Sequence, residues 1–147
     1  MDKTAFSILI ERSAKYARSK ERRLRVFFER SGKREDQDMV AFTRELKSDG
    51  MPFDSDNAAA YRGLEADEFR ALVLGEPKGR TKRTPMLQIA DLYLYPMAKA
   101  GYDASYKPYL ALMRAGRLID SGLSSEDRPL IGIKYSCFDD VDRHENT

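Results

Sequence analysis

A run of three apolar residues, Val26-Phe27-Phe28, stands between two segments of helical periodicity, and its length and setting confine the chain to a narrow set of folds. Residues 24–30 read as a strand apolar on both faces, the kind that parallel sheets bury between helices. Before it, Phe6, Leu9, Ile10 and Ala17 fall near one face of a helix over residues 2–19, with Asp2 or Thr4 as its cap. After the loop Ser31-Gly32-Lys33-Arg34, Asp36 is the expected N-cap of a helix that carries Met39, Phe42 and Leu46 and ends at Gly50. Residues 51–68 read mainly as loop, with a short helix over 58–64. Residues 69–74 read as a second strand and 78–83 as a basic loop. Thr84-Pro85 then starts a helix that is kinked at Pro96 and closed by Gly101. A further helix begins near Ser105, and residues 129–135 offer a last short strand.

This order is the rhythm of an α/β fold with parallel strands, here two or three strands packed with four or five helices. The chain is expected to form a single domain over residues 1–147, with a core at 1–115 and a C-terminal extension at 116–147. A sheet so thin leaves a row of unpaired backbone groups at its edge, which favours a partner chain or self-association there.

Composition removes several classes of function. At 41% hydrophobic and 34% charged, the sequence has the balance of a folded domain. The most apolar stretch, 86–100, contains Asp91 and Pro96 and is short of the roughly 20 residues that span a bilayer. The start, Met1-Asp2-Lys3-Thr4, has no secretory pattern, so a cytoplasmic location is expected. One cysteine, Cys137, excludes an internal disulfide, and one histidine, His144, disfavours zinc sites and a Ser-His-Asp triad. Metal chemistry would have to be carboxylate chemistry, which suits Mg²⁺ or Mn²⁺.

The net charge of +2 conceals an alternation along the chain. Residues 1–34 carry 11 Lys/Arg against 4 Asp/Glu, residues 35–77 carry 4 against 11, and residues 78–119 carry 8 against 2. Two basic blocks, 20–25 and 78–83, make Arg22, Arg23, Arg25, Lys78, Arg80, Lys82 and Arg83 the candidate nucleic-acid contacts, since clustered cations neutralise phosphates. Charge alone suits a solvated face equally well.

Three acidic positions are candidates for chemistry. Glu29 closes the first strand at its carboxyl end, where α/β sheets place ligands. Asp91 lies in an apolar helix with Gln88 one turn before it on the same face. Asp36 stands with Glu35 and Asp38 at a helix start, where the macrodipole alone accounts for acids. No phosphate-binding Gly-x-x-x-x-Gly-Lys-Ser/Thr loop occurs.

The segment Pro85-Met86-Leu87-Gln88-Ile89-Ala90-Asp91-Leu92 resembles the Gly-Leu-Gln-Leu-Ala-Asp-Leu helix of the bacterial and phage family known as domain of unknown function 3800. Leu24-Arg25-Val26-Phe27-Phe28-Glu29 resembles that family's strand ending in glutamate, and the order of the two motifs also fits. The resemblance covers about residues 5 to 110. It implies an incomplete ribonuclease H-like fold and a metal-dependent, phosphodiester-hydrolysing activity of nuclease type. Glu29 and Asp91 would be metal and catalytic acids, Gln88 would orient the site, and Asp36 would be a further candidate ligand for Mg²⁺ or Mn²⁺. The family's opening Asp-Glu-Ser-Gly strand has no counterpart here. The chain is therefore expected to be an N-terminally truncated domain, weak or inactive when isolated. The alternative is a nucleic-acid-binding or partner-binding module without catalysis.

Overall fold

The computed structural model describes residues 2–53, 63–101 and 103–131. The first helix, α1 (Lys3–Ser19), starts as its sequence dictates: the Asp2 side chain accepts a hydrogen bond from the Ala5 amide at 3.0 Å. It ends in a left-handed turn at Glu21 (φ 53°), where the amides of Glu21 and Arg22 return to the carbonyls of Arg18 and Ala17. The strand β1 (Phe27–Glu29) follows, then α2 (Lys33–Asp49). Two further segments complete the centre of the fold, α3 (Ala66–Leu72) and the strand β2 (Lys78–Arg80). Helices α4 (Pro85–Ala100), α5 (Lys107–Arg114) and the single turn α6 (Arg128–Ile131) come last, with a 3-10 turn at Ile119–Gly122 before α6.

The architecture is a small α/β fold whose two strands are parallel, Phe27 facing Lys78, Phe28 facing Gly79 and Glu29 facing Arg80. A bridge between Leu24 and Val73 extends the pairing towards α3. The core lies among α1, α2 and α3, which bring together Ile10, Ala14, Phe42, Leu46, Phe69 and Val73, with Leu24 and Val26 just before β1 packed against it. Two polar ties lock α2 to α3 and the segment after it: the Lys47 ammonium donates to the carbonyls of Val73 (2.6 Å) and Gly75 (2.5 Å), and the Arg70 guanidinium donates to the carbonyl of Lys47. Burial pushes the Lys47 ammonium below the usual lysine range.

Several expectations need correction. Residues 69–74 are not a strand: Ala66–Leu72 is helical, with Asp67 and Glu68 at its positive end and Phe69 wholly buried. Only Val73, just past that helix, behaves as strand. The basic loop 78–83 begins instead with β2, which Lys-Gly-Arg does not announce because it has no apolar residue. Helix α2 begins three residues before Asp36, with Gly32 as its cap, and Asp36 sits in the first turn. The first strand is covered on one face, since exposure alternates along it from Leu24 to Glu29. Residues 128–131 are helical where a strand was expected. The remainder of that expected strand, the short helix at 58–62, Cys137 and His144 lie outside the described residues. Among the described residues, no helix is long and apolar enough to cross a membrane.

Candidate functional site

Alternation along β1 sorts its side chains. Leu24 and Val26 pack against the core, and Phe28 continues on that face. Arg25, Phe27 and Glu29 point the other way and are exposed. Directly opposed residues of neighbouring strands share a face, so Lys78 joins Phe27 and Arg80 joins Glu29 there. Arg25, Phe27, Lys78 and Arg80, together with Glu76, border a hollow of about 200 Å³, and the Arg80 guanidinium lies 5.2 Å from the Phe27 ring centre. The two basic blocks, far apart in sequence, thus contribute to one surface through the register of two strands.

The other face opens into a larger cleft, about 910 Å³, between the sheet and α2. Its cations are Arg30, Lys33 and Arg44, its acid is Asp36, and Phe28 and Pro77 supply apolar wall. Glycine at 79 makes room for Arg30: a Cβ there would lie 2.9 Å from Arg30 Cγ and force that side chain to shift. Arg44 pairs with Glu76 at 2.5 Å, and this hydrogen bond holds the exposed Glu76 carboxyl below its usual range and raises Arg44. Neither Arg30, Lys33 nor Arg44 carries a sequence signal, because their convergence depends on how β1 meets α2.

At the carboxyl end of the sheet, the strands and α4 meet through Lys82. Its ammonium lies 3.5 Å from Glu29 Oε1, and its carbonyl accepts a hydrogen bond from Gln88 Nε2 at 3.1 Å. Glu29 and Gln88 therefore converge on one residue. Asp91 lies one turn beyond Gln88 on α4 and is exposed. Asp36 accepts from the Ser31 amide at 3.2 Å and faces the cleft, whereas Glu29 is on the opposite face of its strand. Lys82 and Arg83 are exposed on the α4 approach. Arg22 and Arg23 border a separate hollow with Tyr16, Lys20 and Ile119, so the first basic block divides between two surfaces.

Among the described residues, no group of three or more His, Cys, Asp or Glu side chains is placed to hold a metal ion. Hard divalent cations take six or more oxygen ligands, and two sites close together need several carboxylates. Glu29, with an ammonium against it, and Asp91 do not by themselves fit a two-metal centre.

No protein-family model matches this chain, and no solved structure matches it. It is 39% identical over 141 residues to the uncharacterized protein y4pM of Sinorhizobium fredii (strain NBRC 101917 / NGR234). The aligned region takes in 95% of this chain and 50% of that protein, so the chain spans half the length of its relative.

Proposed function

We propose that this chain is the nucleic-acid-contacting portion of a ribonuclease H-like, phosphodiester-hydrolysing protein of nuclease type, and that alone it binds nucleic acid with weak or no cleavage. The observation that carries the binding is the joining of Arg25, Lys78 and Arg80 beside the exposed Phe27 ring. Clustered cations neutralise phosphates, and an aromatic face among them suits an unstacked base. Lys82 and Arg83 prolong the surface towards α4. The resemblance of the strand ending in Glu29 and of the helix bearing Gln88 and Asp91 supports the nuclease class. The paucity of carboxylates supports the weak activity of the chain by itself.

The test is binding of labelled single-stranded and duplex oligonucleotides, DNA and RNA, across a series of salt concentrations. Each phosphate contact contributes about 0.9 to the slope of log affinity against log salt for duplex and about 0.7 for single strands. Replacing Lys78, Arg80, Lys82 and Arg83 by glutamine is expected to lower the duplex slope by about 3 to 4. An unchanged slope and affinity would refute the binding. Robust cleavage by the isolated chain, abolished by Glu29→Gln, would refute the claim of weak activity.

A further inference from the structure

Among the described residues, the outer edge of β1 has no neighbouring strand. The main-chain bonds show which groups it offers. Leu24 exchanges bonds with Leu72 and Leu74, the Val26 carbonyl accepts from Lys78, and the Arg30 amide donates to Arg80. In a parallel pair each residue directs its amide and carbonyl to the same side. The even-numbered residues from Leu24 to Arg30 thus face β2, and Arg25, Phe27 and Glu29 present their amides and carbonyls to the opposite side. Among the described residues nothing pairs with that edge. It carries no proline or bulge, the usual means of blunting such an edge.

Apolar surface is also uncovered, on this strand and elsewhere in the molecule. Phe27 is 46% exposed, and α4 leaves Met86, Leu92 and Leu94 each more than 60% exposed. A strand added beside β1 would send alternate side chains towards the face on which the cleft against α2 lies, and the opposite set beside Phe27. Half of the longer relative has no counterpart in this chain, a length sufficient to supply such a strand and its support.

We infer that β1 pairs along this edge with an extended segment of polypeptide equivalent to the unmatched half of the Sinorhizobium protein, extending the sheet to three or more strands. This pairing is independent of nucleic-acid binding and of cleavage, so either can fail without the other. A second copy of this chain and its own C-terminal residues are the competing occupants, which the experiment below distinguishes.

The experiment co-expresses this chain with the unmatched half of the relative, and compares amide hydrogen exchange of the complex with that of the chain alone. The expected result is a one-to-one complex by size exclusion with light scattering, in which the amides of Phe27 and Glu29 slow by at least about tenfold while Phe28, already paired with β2, changes little. Phe27→Pro removes an outward amide without touching a bond to β2, and is expected to abolish the complex. Because that variant could disturb the strand itself, the exchange measurement on the unsubstituted chain decides the matter. Absence of a complex, a complex leaving Phe27 and Glu29 unprotected, or protection of these amides in the chain alone would overturn the inference. The last outcome would assign the edge to a second copy or to the chain's own tail.

Discussion

Replacing Glu11 by alanine removes two supports at once from the middle of α1. The Glu11 carboxylate is wholly buried; it accepts from the Leu64 amide at 3.0 Å and lies 3.2 Å from the ammonium of Lys15, itself 3% exposed. Taking away one member of a buried pair leaves the other charge without that partner in a medium that solvates it poorly, at a cost of about 3–5 kcal/mol. For a chain of this length that corresponds to a fall in melting temperature of roughly 10 °C or more. The double variant Glu11→Leu with Lys15→Met removes both charges together and takes the acceptor from the Leu64 amide, a cost of about 1–3 kcal/mol. Apolar packing of the two new side chains offsets part of that, so the double variant is expected to melt well above the single one. Thermal and urea unfolding followed by far-ultraviolet circular dichroism measure both. A Glu11→Ala loss below about 1 kcal/mol, or a double variant as unstable as the single, would refute the view that the pair is retained because neither charge tolerates solitude.

The same pair gives a pH dependence. Burial pushes the Lys15 ammonium below its ordinary value of 10.5, against the pull of Glu11, so the folded chain binds fewer protons than the unfolded one just below that pH. Stability from this group is expected to rise as pH approaches 10.5, and Lys15→Met should flatten the rise in urea midpoints. Phe69→Ala, at a wholly buried ring, is expected to cost about 3–5 kcal/mol in the same unfolding assay. Glu21→Gly relieves a left-handed residue at the end of α1 and should stabilise by about 1 kcal/mol; the equivalent turn after α5 already has Gly116, at φ 62°. Calorimetry with Mg²⁺ or Mn²⁺ is expected to give weak binding that Asp91→Asn reduces, and equal binding by both proteins would remove Asp91 as a ligand.

Elements set by local pattern were legible in the sequence, and elements set by distant pairing were not. The apolar spacing and Asp2 cap of α1, the Gly50 end of α2, and Thr84-Pro85 before α4 all act within a turn or two of the residues that announce them. Residues 69–74 misled because Phe69, Leu72, Val73 and Leu74 satisfy either period, and the choice of helix comes from packing Phe69 against α1 and α2. Lys78-Gly79-Arg80 became a strand only because β1 was there to bond it. At the site, Gln88 and Asp91 share a helix face as their spacing requires, and Glu29 stands at the strand end as expected. The meeting of Glu29 and Gln88 at Lys82, and the cleft formed with Arg30, Lys33 and Arg44, arise from the relative placement of strands and helices, which no local pattern encodes.

The order in which β1 and β2 occur along the chain governs how the molecule is born. β1 leaves the ribosome before α2 and α3, and its pairing with β2 waits until residues 78–80 follow. Through that interval Val26-Phe27-Phe28 lacks its pairing with β2 in the nascent polypeptide and is open to misassociation and to capture by chaperones on that side. Translation speed between residues 30 and 80 therefore sets how long that hazard lasts, and rare codons placed in this interval would lower the yield of folded protein.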